Sequence, residues 1–345
     1  MKIPALNYFY LFRKLRERYQ DKNIVGFGFG CAEKDDYLDE DRPRSIQVFV
    51  KQKLRNTKST RKIPKTISIP LPNFGWDDSK RSPSRKHVQL KFPTDVIVDQ
   101  ECTSCGGKVK KDGTELVTTG AVVRWKVRKN TGIQTRFGVL TVAHAFFNNP
   151  ATGISDITVK FPSGIEIVGS RLVQTVPRQE ATTNATPSVD ACLIEVSDLS
   201  LLDSQIISSV SQPRLPYFAT DQLLDRPFRS GVAENAIERV NFSFLGIRDT
   251  QHIRGIGFVD AVVRVVADDN DFIRGTSGTI FQLLNEVGQV QHFPAAMQLG
   301  SISPEFSVGL GQSLHLATRI IRNRLDAAIS NNLRRLESFE LIAIF

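Results

Sequence analysis

The sequence predicts a mostly β protein: a long all-β body, a small α+β module in front of it and a helix behind it. Three observations carry this. From about residue 113 onward, short β-branched and apolar runs alternate with Gly, Pro, Asn and Asp turn signals. Residues 1–55 combine a helical spacing with two short strand patterns. Residues 313–336 hold one long helical pattern, with Leu316, Ile320, Ile321, Leu325, Ile329 and Leu333 on one side.

In the front module, Leu6, Phe9, Tyr10, Phe12 and Leu15 recur at near-helical spacing over residues 5–20, and basic side chains crowd the far end, where the helix dipole favours them. Pro4, Asn7 and the following Arg13-Lys14-Leu15-Arg16 speak against a signal peptide. Next, Gly26, Gly28 and Gly30 have period two. That suits a strand with one crowded face and lacks the spacing of a dinucleotide loop. Ser45-Ile46-Gln47-Val48-Phe49-Val50 alternates as a second strand. Residues 56–92 show little periodicity and many turn formers, and residues 92–98 return to strand.

Charge is uneven along the chain. The 345 residues carry a formal +9. Residues 51–91 hold twelve Lys or Arg against Asp77 and Asp78, so this segment accounts for the excess. Such a segment is a solvated loop or a contact for nucleic acid or an acidic partner. No run approaches the ~20 apolar residues of a membrane helix, and the composition, 41% hydrophobic and 23% charged, is that of a soluble globular chain. Cys102 and Cys105 make half a zinc ribbon without a second Cys-x-x-Cys; no metal and no cofactor is expected, and a surface turn is the plainer reading.

Within the β body, Lys129-Asn130-Thr131-Gly132 reads as a hairpin turn, residues 154–159 and 165–168 as hairpin strands, and residues 190–196 as the strand that closes a first barrel. Residues 200–230 read as a connector, followed by strands at 240–245, 258–266, 279–284 and 294–300. Three stretches carry chemistry. His144 ends a strand-like run, Asp190 leads into an apolar one, and Ser277 sits among glycines in Gly275-Thr276-Ser277-Gly278. Together these residue types supply a nucleophile, a base and an orienting carboxylate for acyl transfer. Each also has a plainer reading, as a structural histidine, a turn cap and a loop serine.

Leu140-Thr141-Val142-Ala143-His144, Asp190-Ala191-Cys192-Leu193 and Gly275-Thr276-Ser277-Gly278 resemble, in order, three motifs of the chymotrypsin-like serine peptidases, Leu-Thr-Ala-Ala-His, Asp-Ile-Ala-Leu and Gly-Asp-Ser-Gly. The likeness covers roughly residues 115–328 and is closer to bacterial and intracellular members. It implies a trypsin-like double six-stranded β-barrel, with domains at 1–112 (α+β module and basic linker), 113–205 (first barrel) and 206–345 (second barrel and C-terminal helix). It implies His144, Asp190 and Ser277 as the catalytic triad and the backbone N–H groups of Gly275 and Ser277 as an oxyanion hole. Gln298, Leu299 and Gly300 match the segment that pairs with substrate. Asp271, six before the serine, matches the pocket base that selects Lys or Arg, unless it belongs to a solvent-facing acidic turn with Asp268 and Asp269.

Departures are Thr276 and Thr279 around the serine. Ala145 also stands where secreted relatives carry a disulfide cysteine, which points to a cytoplasmic protein. The expected activity is a serine endopeptidase acting on protein or peptide, with an N-terminal module for regulation or for a protein partner. The alternative is an inert trypsin-fold binding protein that puts its basic segment on nucleic acid or an acidic partner. No membrane contact is expected.

Overall fold

The structure is a computed structural model that describes residues 8–31, 33–34, 37–38, 45–53, 63–72, 87–100, 102–104, 115–118, 120–146, 155–160, 166–180, 187–196, 230–234, 239–268, 272, 277–283, 293–302, 308–330 and 334–344. It is mostly β, with two main sheets and two α-helices among these residues. The described residues fall into two compact units, one drawn from 1–100 and 245–251, the other from 101–215, 229–244 and 252–345.

In the first unit, helix α1 (Tyr8–Arg18) precedes strand β1 (Ile24–Gly30), a short hairpin of β2 (Glu33–Lys34) and β3 (Tyr37–Leu38), then β4 (Ser45–Val50), β5 (Thr66–Pro72) and β6 (His87–Val98). The helix buries Leu11, Phe12 and Leu15; Leu11 joins the expected stripe, and Leu6 lies outside the described residues. β1 runs antiparallel to β4, β4 parallel to β6, and β6 antiparallel to β5. Residues 246–248 pair with the other edge of β1. The glycine face of β1 is crowded: a Cβ on Gly28 would lie 2.9 Å from both the Gln47 amide and the Phe49 ring. Residues 66–72 and 87–91 correct the expectation of a turn-rich stretch, since both are strand. Pro70 and Pro72 disguised β5. It is an edge strand, where proline's missing N–H is tolerated.

The second unit comprises β7 (Cys102–Ser104), β8 (Glu115–Thr118), β9 (Ala121–Lys129), β10 (Gly132–Thr141), β11 (Ser155–Lys160), β12 (Glu166–Gln174), β13 (Cys192–Val196), β14 (Ser230–Glu234), β15 (Arg239–Ile253, save its part in the first unit), β16 (Gly257–Ala267), β17 (Ile280–Leu283), β18 (Phe293–Ile302), β19 (Val308–Ser313), helix α2 (Leu314–Ile329) and β20 (Arg334–Ile344). One sheet runs β20-β9-β10-β13-β12-β11-β8. The other contains a closed ring of six strands, β14-β17-β18-β19-β16-β15 and back to β14. The turn between β9 and β10 holds Asn130 and Thr131, and Gly132 follows with φ +127°.

Two expectations are corrected here. The helix expected over 313–336 runs only from Leu314 to Ile329, and the chain returns as β20 along the edge strand β9. Ser313 caps the helix start, its hydroxyl accepting from the Leu316 N–H, and the Ser330 N–H closes the end on the Asp326 carbonyl. Bulges at 336–338 and 341–343 break the two-residue period of β20, so its pattern did not read as strand. β13, expected to close a barrel, lies mid-sheet between β10 and β12. Its contiguous apolar Cys192, Leu193 and Ile194 are all buried, as a strand covered on both faces requires.

Candidate active site

The antiparallel register of β10 on β13 brings the first two candidate residues together. Thr141 lies opposite Cys192 and Leu140 opposite Leu193. Continued past the ladder's end, that register sets Ala143 against Asp190. The Asp190 carboxylate is fully buried and collects three donors there. Its Oδ1 accepts from the backbone N–H of Ala143 (3.0 Å) and of His144 (2.9 Å), and its Oδ2 lies 2.5 Å from His144 Nδ1. A carboxylate at Nδ1 holds the proton on that nitrogen and leaves Nε2 as the basic one. His144 Nε2 is buried and has no hydrogen-bond partner among the described residues. A buried ring nitrogen left open in this way can accept a hydrogen bond or a proton from an incoming group.

Ser277 lies before β17 and is 3% exposed. Its hydroxyl donates to the Leu299 carbonyl at 3.2 Å, and no hydrogen bond joins it to His144. Gly278 has φ +102°, a conformation that only glycine adopts without strain. Its N–H is spent on the Gln298 carbonyl (2.9 Å), so it is not an oxyanion donor, and the Gln298 N–H donates to the Thr279 carbonyl (2.8 Å). Gly275 and Asp271 lie outside the described residues; Phe272 is buried against Phe281.

Gly120, which the motifs did not single out, lies where the serine turn and the histidine strand come close. A Cβ there would lie 2.6 Å from the Gly278 carbonyl and 2.6 Å from the Leu140 carbonyl. The two carbonyls therefore flank one point, and only a glycine leaves room for both. A lone glycine before a β-run looks like any turn residue, and no sequence signal marks it. A single apolar core cluster includes Val142, Val189, Ala191, Ile280 and Leu299, residues that flank all three candidate side chains.

Gln298, Leu299 and Gly300 lie on β18. Gln298 faces Gly311 and Gly300 faces Leu310 across to β19, with an irregularity in register between them. The other edge of β18 at Gly300, Ser301 and Ile302 pairs antiparallel with Ser104, Thr103 and Cys102 of β7. Cys102, expected in a surface turn, is instead a buried strand residue, and its carbonyl accepts from the Arg254 N–H at 2.9 Å. Cys31 and Cys192 are likewise buried and in no disulfide, while Cys105 lies outside the described residues. Among the described residues no three His, Cys, Asp or Glu side chains gather as metal ligands, and no helix is long and apolar enough to cross a membrane.

No protein-family model and no curated protein matches the chain. Solved structures that it resembles are proteases. Protease A of Thermobifida fusca is 10% identical, with 66% of this chain and 99% of that one covered at a TM-score of 0.35. The Rv3671c protease of M. tuberculosis in its active form is 14% identical, with 60% and 82% covered at a TM-score of 0.27. Its inactive form is 17% identical, with 59% and 88% covered at a TM-score of 0.31. Likeness at this level assigns no role to any residue here.

Proposed function

We propose that this chain is a serine peptidase whose nucleophile, base and orienting acid are Ser277, His144 and Asp190. One observation carries the reading. A fully buried carboxylate grips both the ring and the backbone of His144 and leaves Nε2 without a partner among the described residues. In the reaction, Ser277 Oγ forms a bond to the carbonyl carbon of a peptide while its proton passes to His144 Nε2. The C–N bond then breaks, and the departing amine takes that proton. Water repeats the sequence on the acyl-enzyme and frees the serine. Backbone N–H groups of Gly275 and Ser277 would hold the oxyanion, each worth about 2.7–4 kcal/mol. Gln298, Leu299 and Gly300 would line the acyl side of the substrate, and Asp271 would select Lys or Arg there. The setting we propose is cytoplasmic, with the first unit serving regulation or a protein partner.

Two features favour the inert reading, and both can be tested. The serine hydroxyl rests on Leu299 instead of His144. The lane along Gly300–Ile302 is occupied by β7. An extended peptide binding by strand addition there must displace β7. A fluorophosphonate probe decides between the readings, since only an activated serine reacts. We expect labelling that disappears in Ser277→Ala while the thermal melt is unchanged. Labelling that persists in that variant removes Ser277 from the mechanism. A chain that never labels, yet binds nucleic acid with an affinity that falls steeply with salt, is the binding protein of the alternative reading.

A further inference from the structure

Asp190 sits just outside the ladder that aims it. β13 begins at Cys192, so the backbone groups of residues 188–191 must find partners elsewhere, and a buried peptide group without one is costly. The Thr175 and Asp260 N–H groups donate to the Ala191 and Ser188 carbonyls at 2.9 and 2.8 Å, and side chains supply the other partners. The Ala191 N–H donates to Thr175 Oγ1 at 2.8 Å, and the Ser188 N–H donates to Asp260 Oδ2 at 2.8 Å. Among the described residues, the side chain that holds the peptide groups of Asp190 is that of Gln312: the Asp190 N–H donates to Gln312 Oε1 at 2.8 Å, and Gln312 Nε2 donates back to the Asp190 carbonyl at 2.5 Å. Gln312 is fully buried on β19, facing Val262 of β16 and Met297 of β18. A strand of the six-stranded ring thus reaches out and imitates a ladder pair for one residue of the other sheet.

We propose that Gln312 is a positioning residue that sets Asp190 in register with His144. The proposal rests on the peptidase reading only for its catalytic consequence. Both faces of the aspartate are then fixed. Gln312 holds the peptide, and the three donors of Ala143 and His144 hold the carboxylate. With the peptide released, the carboxylate can follow the histidine or leave it, and misplacement by about 1 Å costs on the order of 100-fold in rate.

The test uses the full chain with two substitutions of nearly unchanged volume. Gln312→Met removes both hydrogen bonds, and Gln312→Glu keeps the acceptor and loses the donor. The readout independent of turnover is the downfield proton NMR signal of the His144 Nδ1–H on Asp190. Alongside it, kcat and KM are measured on a peptide substrate. We expect Gln312→Met to shift or broaden the signal and to lower kcat about 10–100-fold, with KM changed less than about twofold. Gln312→Glu should behave likewise at neutral pH and recover the signal when acid protonates the new side chain and restores its donor. If Gln312→Met does not fold, the acid recovery in Gln312→Glu decides. An unchanged signal in a folded Gln312→Met, or no acid recovery in Gln312→Glu, overturns the proposal. A wild-type chain that shows the signal but cleaves nothing sinks the peptidase reading and leaves the positioning role standing.

Discussion

At the scale of single residues, Asp190 does two jobs that substitution can separate. Its Oδ1 satisfies two buried backbone N–H groups and its Oδ2 meets the imidazole. Asp190→Asn keeps an oxygen for the backbone donors and loses the anion that fixes the tautomer. We expect a folded protein with kcat lowered about 10⁴-fold. Asp190→Ala strands the donors as well and should also lose about 1–3 kcal/mol for each one left buried and unpaired. Urea titration of the two variants checks this: equal stability would mean that the carboxylate does not carry the backbone. Gly120→Ala places a methyl group 2.6 Å from two carbonyls on different elements. Backbone cannot swing aside as a side chain can, so the serine turn and the histidine strand must part. Overpacking of this kind costs about 1–3 kcal/mol. The predicted signature is a lower labelling rate at Ser277 with the His144–Asp190 NMR signal retained, because that pair lies on the β10–β13 side of the intrusion.

Among the elements, β7 bears most on the proposed function, because it pairs with Gly300–Ile302 of β18, where the peptidase reading would seat an extended peptide. Cys102 anchors it in the core, and the Arg254 N–H ties it on its far side. Thr103→Pro removes a backbone donor from the middle of this short strand and should loosen it from Ser301. If β7 obstructs the lane, the variant labels and cleaves faster than wild type, with a lower KM for long peptides than for short ones. Slower cleavage of every substrate would make β7 a structural part of the lane instead. Helix α2 and strand β20 show another division of labour. The helix buries Leu314, Leu316, Ala317, Ile321 and Leu325, and β20 then covers β9, with Phe339 stacked on the buried Trp125 at 6.5 Å between centroids.

On the scale of the whole molecule, each unit has its own core, and the first holds a buried ionic centre. Arg16 on α1 approaches Asp249 Oδ2 at 2.5 Å, while Oδ1 accepts from the Phe27 and Thr250 N–H groups. Burial pushes the Asp249 carboxyl above its ordinary range; Arg16, the Phe27 N–H, Arg248 and the Thr250 N–H pull it back without winning. A raised folded value means that the folded chain keeps a proton the unfolded chain has released. Its contribution is therefore present below the unfolded value of about 3.9 and is lost as pH rises through the folded one. Arg16→Ala removes a counter-charge and raises the folded value further. We expect a deficit of about 1–3 kcal/mol near neutral pH that shrinks on acidification, read by urea denaturation across a pH series. A deficit independent of pH would show that Arg16 acts by packing alone.

The local setting of the candidate residues was legible in the sequence because it depends on near neighbours in the chain. A histidine at the end of β10, an aspartate leading into β13 and a serine among glycines each follow from short runs whose alternation and turn residues are set by neighbours in the chain. The helix start at Ser313 and the glycine face of β1 were legible for the same reason. The tertiary structure decided what depends on partners far away in sequence. β5 is strand despite two prolines, because it needs bonds on one edge only. β20 is strand despite its broken period, because β9 offers a ladder that tolerates two bulges. Gly120 and Gln312 have no motif at all. The first matters because two carbonyls converge on it, and the second because a peptide past the end of its ladder must be satisfied by whatever side chain the other sheet presents.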